Sequence, residues 1–113
     1  MSRENRAELL PGTLDLIILK TLESLGPLHG YGITQRIRQV SNDLIHLNQG
    51  TLYPALLRLE NKGWIRSKWG ITDTKRKARF YSLTTKGRSQ SNDEAQNWER
   101  MTAIMIRVLE AGQ

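Results

Sequence analysis

The sequence predicts a mainly α-helical protein that carries one small β-hairpin and ends in a long helix. Apolar residues recur at helical spacing in four separate stretches of the 113-residue chain. Two short stretches, residues 64–69 and 79–83, instead alternate with the period of two that strands show. Basic residues gather around that pair: the segment 66–88 holds eight of them and one acid, a net charge of +7 against +6 for the whole chain. The positive charge is therefore local, which a polyanionic partner would explain.

Composition narrows the class of protein. A chain of 113 residues suits one domain with a modest core, and a pI near 10.1 favours nucleic acid or an anionic surface as the partner. The absence of cysteine excludes a disulfide framework, a cysteine zinc site and a thiol nucleophile. No stretch approaches the roughly 18 apolar residues of a membrane span, and the N-terminus lacks the apolar region of a signal peptide. We expect a cytoplasmic, non-membrane protein that is not an enzyme and needs neither cofactor nor metal.

The first helix is expected to open at Thr13, after Pro11–Gly12, and to end at Gly26–Pro27. Its main apolar stripe is formed by Leu14, Ile18, Leu22 and Leu25. Further apolar residues widen the stripe, so one neighbour would not bury the whole helix. We expect this helix to pack on its own domain with one side and on a second subunit with the other.

The second helix is predicted over Gly30–Ser41, because Ile33, Ile37 and Val40 fall at i, i+4 and i+7. Its two glycines weaken it but allow the backbone to approach another group closely. The alternating residues 44–48, LIHLN, are expected to form a short edge strand before the next helix.

The third helix, predicted between Asn48 and Gly63, has the features of a DNA-recognition helix. Asn48 suits the N-cap and Gly63 the left-handed position after the last turn. Three leucines form its apolar stripe, and the residues that lie off that stripe are polar or small near the start of the helix. Those of interest are Gln49, Thr51, Tyr53 and Arg58. Taken alone, the stretch also fits an ordinary amphipathic surface helix.

The hairpin that follows is predicted to pair Trp64–Trp69 with Arg79–Leu83 across a loop from Gly70 to Ala78. Lys75, Arg76 and Lys77 lie in this loop. Like charges crowded into a turn repel one another unless an anion lies beside them, although a solvated hairpin is the simpler interpretation.

The last helix is predicted from Thr85 to about Leu109, with Thr84 as its N-cap. Its first half is polar, whereas its second half carries an apolar stripe with no obvious partner in a small domain. A second copy of the chain would cover that stripe. The interface residues expected on the first and last helices are Leu14, Ile18, Met101, Met105 and Val108.

The order helix, helix, short strand, helix, hairpin, long helix is that of a winged helix-turn-helix followed by a dimerisation helix. Residues 1–84 would form the DNA-binding region, and residues 85–113 the C-terminal dimerisation helix, within one globular unit. Four segments then resemble the PadR family of bacterial transcriptional regulators: LLPGTLDLIILKTL, GPLHGYGITQRI, GTLYPALLRLENKGWI and ARFYSLTTKGR. The single terminal helix resembles the compact branch of that family. The resemblance implies a homodimer that binds operator DNA, usually as a repressor, with release by a small molecule in some members.

The DNA-binding residues expected from the sequence and the resemblance combine the third helix, the hairpin and one tyrosine. They are Tyr31, Gln49, Thr51, Tyr53, Arg58, Lys75, Arg76, Lys77 and Arg79. Thr51 and Tyr53 would reach base edges, and Arg58 a phosphate. Tyr31 resembles a family position near the phosphates, but it fits a core tyrosine equally well. A winged helix that binds only proteins or RNA remains the alternative.

Trp98 stands where the polar half of the last helix meets its apolar half. The segment QNWERM resembles the part of drug-sensing PadR members that stacks a tryptophan on flat aromatic ligands at the dimer centre. On that resemblance Leu16, Lys20 and Glu23 would line the same space. The plainer interpretation, which the sequence favours, is that Trp98 fills the dimer interface.

Overall fold

Four helices and a small antiparallel sheet make up residues 11–112, the part of the chain that this computed structural model describes. Their order is α1 (Pro11–Leu25), β1 (Leu28–His29), α2 (Gly30–Val40), α3 (Gln49–Asn61), β2 (Ile65–Ile71), β3 (Lys77–Leu83) and α4 (Thr85–Ala111). The strand order in the sheet is β1-β3-β2, with both pairs antiparallel. The mainly helical class and the hairpin are therefore as predicted from the sequence.

The core lies between α1, α2, α3 and the inner face of the sheet. Val40, predicted for the apolar stripe of α2, is 60% exposed at the end of that helix, but the other residues of the stripes predicted on α2 and α3 are buried there, with Ile33, Ile37, Leu52, Leu56 and Leu59 each at most 1% exposed. Each such side chain contributes about 1.5–3 kcal/mol on leaving water. This burial fixes α2 and α3 against each other and leaves the polar face of α3 outside.

The helix ends follow the sequence signals. The Asn48 side chain accepts a hydrogen bond from the backbone N–H of Thr51 at 2.8 Å, and Thr84 Oγ1 accepts from Gly87 at 3.0 Å. Gly63 closes α3 at φ +78°, in the left-handed region that glycine reaches without strain. The described helix α1 already includes Pro11, because proline lacks only an N–H that the first turn would leave unpaired.

The predicted strand at residues 44–48 is wrong, and the third strand of the sheet lies elsewhere. Residues 44–48 form no strand; Ile45 and Leu47 instead pack partly buried against the core. The alternation of apolar residues in this segment therefore reflects a loop in which every second side chain is partly buried. It does not reflect a strand that pairs with the sheet. The third strand is β1, whose two residues pair with Tyr81 and Phe80 of β3.

The hairpin is longer than predicted, and its loop is correspondingly shorter. Ile71 pairs with Lys77, so Lys77 belongs to β3 and not to the loop. The loop runs over residues 72–76, where the Lys75 N–H donates to the Thr72 carbonyl at 2.8 Å. The Thr72 N–H also donates to the Arg76 carbonyl at 2.8 Å, which leaves residues 73–75 as a three-residue tip. Lys75 ends this tip at φ +61°, the left-handed conformation common at that position.

The two interface residues expected on α1 are not on the surface. Leu14 is 6% exposed and Ile18 is completely buried, both inside the core of a single protomer. These two side chains therefore offer no surface to a second subunit, although Leu16 and Ile17 of the same helix are only partly buried and Leu25 is 46% exposed. Met101, Met105 and Val108 of α4 are more than half exposed, as the sequence suggested.

Candidate nucleic-acid interface

The first turn of α3 packs against the start of α2. A Cβ atom added to Gly30 would lie 2.9 Å from the Tyr53 hydroxyl and 3.0 Å from Gln49 Oε1. The absence of a side chain at Gly30 therefore lets α2 approach these two side chains closely. This contact sets the position of Gln49 and Tyr53 on the outer face of α3.

A groove of about 400 Å³ lies between the start of α3 and the outer half of the hairpin. It is lined by His29, Gly30, Tyr31, Gln49, Tyr53, Trp69, Lys77, Ala78, Arg79 and Tyr81. Five of the nine residues predicted to bind DNA meet here, although they come from α2, α3 and β3. We call this space the recognition groove.

The recognition groove is polar, aromatic and positively charged. Its cations are Lys77 and Arg79, and none of the described residues that line it is acidic. Tyr31 and Tyr53 are about half exposed or more, which settles Tyr31 as a surface tyrosine and not a core one. Burial raises the pKa of the Tyr81 hydroxyl, with the Tyr53 hydroxyl as a smaller cause, so Tyr81 stays neutral beside the cations at ordinary pH. Such a lining suits a phosphodiester backbone with bases beside it.

Four predicted residues lie outside the groove. Thr51 is exposed on the first turn of α3, and Lys75 and Arg76 are exposed in the hairpin loop. Arg58 turns towards α1, where its Nη2 donates to Asp15 Oδ1 at 2.8 Å. Because Asp15 neutralises part of its charge, Arg58 is less suited to a phosphate than the sequence indicated.

A hydrogen-bond network joins α3 to the hairpin beside the groove. Ser67 Oγ donates to Glu60 Oε2 at 2.8 Å, and the Arg79 guanidinium donates to Ser67 Oγ at 2.7 and 3.1 Å. Arg79 Nη2 also lies 3.7 Å from Glu60 Oε2. The network holds the guanidinium in one place at the wall of the groove.

Two aromatic groups of this region were missed from the sequence. The His29 ring packs against Phe80 and Tyr31, with ring centroids 5.3 and 6.3 Å apart. Trp69 is 59% exposed, and the cationic groups of Lys77 and Arg79 lie over its ring, 5.6 and 5.4 Å from the centroid. The period of two in β2 puts Trp69 on the same face as Ile65, and the strand register brings Arg79 opposite it.

A second cavity, of about 450 Å³, lies between α1, α2 and α4. Its lining residues are Thr13, Leu16, Ile17, Lys20, Thr21, Ser24, Arg36, Val40 and Trp98. Three of the four residues predicted for a ligand site, Leu16, Lys20 and Trp98, meet here. We call it the Trp98 cavity.

Glu23, the fourth residue predicted for that ligand site, does not line the Trp98 cavity. It accepts hydrogen bonds from Lys20 at 2.9 Å and from the buried Ser91 at 3.2 Å, and Arg88 lies 3.8 Å away. The Lys20 hydrogen bond is the main cause of a lowered pKa at Glu23. Glu23 thus connects α1 to α4, and its carboxylate is not part of the cavity lining.

Within residues 11–112, no helix combines the length and the apolar character that crossing a membrane requires. The same residues contain no group of three or more histidine, cysteine or acidic side chains placed to hold a metal ion.

Comparison with known proteins relates the chain to transcriptional regulators. A family model described as the transcriptional regulator PadR-like family matches residues 18–93. A transcriptional regulator from Clostridium thermocellum is 32% identical, with 85% of this chain and 92% of that chain covered and a TM-score of 0.77. A PadR family transcription regulator from Clostridium difficile is 28% identical, with 85% and 97% covered and a TM-score of 0.71. An uncharacterized protein from Lysinibacillus sphaericus is 28% identical over 105 residues, which cover 93% of this chain and 95% of the relative.

Proposed function

Because the chain belongs to the PadR-like family of DNA-binding transcriptional regulators, which are not enzymes, we propose that it is a repressor. It binds a dyad-symmetric operator as a homodimer, and a flat aromatic molecule releases it. The observation that carries the proposal is the recognition groove, which joins the first turn of α3 to the basic hairpin with no acid among its described lining residues.

In this proposal α3 enters the major groove of the operator and the hairpin acts as the wing. Gln49 and Tyr53 face base edges, since side chains near the start of a recognition helix reach furthest into the groove. Lys77 and Arg79 contact phosphates between α3 and the wing. Lys75 and Arg76, exposed in the hairpin loop, follow the backbone beyond them or enter the minor groove.

The second half of α4 supports a homodimer. Large apolar side chains there are about half exposed or more, among them Met101, Ile104, Met105, Val108 and Leu109. These five lie towards one side of the helix, within an arc of about 140° at 100° per residue, and the exposed Ile106 lies about 60° beyond the edge of that arc. A contiguous apolar stripe of this size marks an interface, and in a two-fold dimer the same stripe serves both subunits. Two recognition helices would then read half-sites about one helical turn apart.

The Trp98 cavity supports release by a flat aromatic molecule. The indole of Trp98 offers a stacking face, and Leu16, Ile17 and Val40 supply apolar walls. Its charged lining residues are Lys20 and Arg36, and the described lining includes no acid. Lys20 is paired with Glu23, whose carboxylate lies outside the lining, so Arg36 supplies the positive charge of the cavity that this ion pair does not offset. A neutral or anionic aromatic molecule therefore fits the cavity better than a cationic dye.

A gel shift with the DNA upstream of the protein's own gene, in the presence of heparin, tests the proposed function. We expect a specific shifted band, a footprint with dyad symmetry, and lower run-off transcription from that promoter. A duplex RNA of the same sequence and a scrambled DNA duplex serve as controls. Equal retention of RNA and scrambled DNA would instead support a nucleic-acid-binding module without an operator, and no retention at any salt would support a protein-interaction module.

Tryptophan fluorescence tests the ligand. Titration with a planar aromatic carboxylate and with a planar cationic dye should give saturable quenching by the former, absent from Trp98→Phe. The ligand that quenches should also remove the shifted band. If neither molecule quenches saturably, Trp98 only fills the interface and release by a ligand at this cavity is excluded.

A further inference from the structure

Trp69 is a large aromatic residue exposed in the middle of a basic surface. Along β2 the side chains of Ile65, Ser67, Trp69 and Ile71 share one face, because successive residues of a strand alternate. Ile65 is buried in the core. The outer end of the hairpin extends beyond the helices, so Trp69 is 59% exposed and Ile71 is 66% exposed. Isolated exposed apolar residues are ordinary in proteins, so exposure alone assigns no role to Trp69.

The position of Trp69 is more informative, because the residue lines the recognition groove together with Gln49 and Tyr53. The strand register places Trp69 opposite Arg79. The indole therefore lies at the junction of α3 and the wing, where a DNA backbone that contacts both elements must pass. Ile71 lies on the same face, two residues nearer the loop, and does not line the groove.

The ring of Trp69 also contacts the two cationic side chains of the groove. Lys77 Nζ and the Arg79 guanidinium carbon lie 5.6 and 5.4 Å from the ring centroid, within the range of cation–π attraction. Arg79 is fixed from its other side by Ser67, which is itself bound to Glu60. The indole thus contacts one cation, Arg79, that other side chains hold at the groove wall, and a second cation, Lys77, while part of its own surface remains free.

We propose that Trp69 contacts DNA directly. The free part of the indole packs on a deoxyribose or a thymine methyl group at the wall of the groove, while its face keeps Lys77 and Arg79 directed at the flanking phosphates. Apolar contacts of this kind with sugar and thymine methyl are a recognised part of groove binding. The inference rests on the proposed function, since it assumes that the recognition groove holds double-stranded DNA.

Two variants separate this contact from a general loss of wing structure. Trp69→Ala removes the indole, and Ile71→Ala removes an equally exposed apolar side chain from the same face of β2. With a fluorescein-labelled duplex from upstream of the gene, anisotropy should show an affinity about tenfold lower for Trp69→Ala, from loss of the cation–π and groove contacts. Ile71→Ala should remain within about twofold of the wild type, because exposed substitutions away from a contact have small effects.

A spectroscopic signature completes the test, because a purely structural residue would not give it. DNA should quench the tryptophan fluorescence of the wild type at the concentrations where anisotropy rises, and Trp69→Phe should bind the duplex without that quenching. If the wild type is saturated with DNA and its Trp69-dependent fluorescence does not change, Trp69 does not contact DNA and the proposed function stands. Equal affinity losses in the two alanine variants would also overturn the assignment. If the wild type binds no DNA at all, the proposed function fails together with this inference.

Discussion

At the scale of single residues, Tyr53 and Gly87 show how one position can decide either recognition or folding. Tyr53 is half exposed on α3 and lies in the recognition groove. Gly87 is buried in the first turn of α4, where an added Cβ atom would lie 1.8 Å from the Trp64 carbonyl oxygen. That oxygen already accepts a hydrogen bond from the Thr84 N–H at 3.1 Å. The hairpin base and the start of α4 are therefore joined by backbone atoms that leave no room for a side chain.

Replacing Tyr53 with alanine should weaken operator binding by roughly 1–3 kcal/mol, with a smaller loss on random DNA, because a residue that reads bases contributes mainly to specific binding. Leu57→Ala is the matched control, since Leu57 is exposed on the same helix and does not line the groove. Anisotropy with the two duplexes measures both losses. Equal losses on operator and random DNA would show that Tyr53 positions the protein and does not read sequence.

Replacing Gly87 with alanine should lower the free energy of unfolding by at least about 1–3 kcal/mol, because an overpacked site with a backbone neighbour cannot relax by rotating a side chain. Gly12→Ala is the control: an added Cβ there meets nothing within 4 Å. That variant should be neutral or more stable by up to about 1 kcal/mol, from helix propensity. Urea denaturation at equal protein concentration compares the two. An unchanged midpoint in Gly87→Ala would contradict the close packing of α4 on the hairpin.

At the scale of elements, the hairpin combines a rigid base with a charged loop. Its base is fixed by the pairing of Ile65 with Leu83 and by the network of Glu60, Ser67 and Arg79. Its loop closes through hydrogen bonds between Thr72, Lys75 and Arg76 that do not involve the cationic side-chain ends. The charges of the loop can therefore be changed with little effect on the fold of the hairpin, whereas Arg79 belongs to its base.

Changing Lys75, Arg76 and Lys77 to glutamate should weaken binding to all DNA sequences, since phosphate contacts carry no sequence information. If about four basic side chains per subunit meet phosphates, the wild-type dimer should show a slope of log K against log salt near −7. The matched glutamine variant removes three charges per subunit without adding acids, so its slope should be shallower by about 5. Affinity measured across a salt series gives both values. Unchanged affinity in a folded glutamate variant would remove the hairpin from the interface.

At the scale of the whole molecule, different apolar residues form the core and the proposed dimer interface. Leu14 and Ile18 belong to the core of one protomer, whereas α4 reaches beyond that core with its apolar stripe exposed. The first half of α4 is tied to α1 through the contact of Ser91 with Glu23. In the proposed dimer the α4 helices of the two subunits pack together. A ligand bound in the Trp98 cavity that moves α4 would therefore change the distance and angle between the two recognition helices.

Replacing Met105 with glutamate should convert the proposed homodimer to monomers, or to insoluble protein, because a charge buried in an apolar interface loses its hydration without a partner. Asn92→Glu places the same charge on the exposed polar half of α4 and should leave the dimer intact. Sedimentation velocity of both variants and the wild type measures the outcome. A wild-type protein that binds its operator as a soluble monomer at micromolar concentration would refute the dimer.

The sequence alone determined the features that depend on local interactions. The four helices, the caps at Asn48 and Thr84, the left-handed Gly63 and the hairpin all follow from residues a few positions apart, whose hydrogen bonds and periodicities are visible in the chain. The order of the elements and the resemblance to the PadR family, with Tyr31 predicted from the resemblance alone, place α3 and the wing on one DNA-binding surface. Five of the nine residues predicted for that surface line one groove: Tyr31, Gln49, Tyr53, Lys77 and Arg79.

Which partner each apolar or charged residue meets depends on how the elements pack in three dimensions. Periodicity shows that α1 has a broad apolar face, but not that its own protomer covers Leu14 and Ile18. Strand β1 has two residues, too few for any alternation, and it exists because β3 lies beside it. Glu23 and Arg58 were assigned to a ligand and a phosphate, yet Ser91 and Asp15 engage them from 68 and 43 positions away. Such contacts depend on how elements pack, since side chains distant in sequence meet only after the core has set the helices in place.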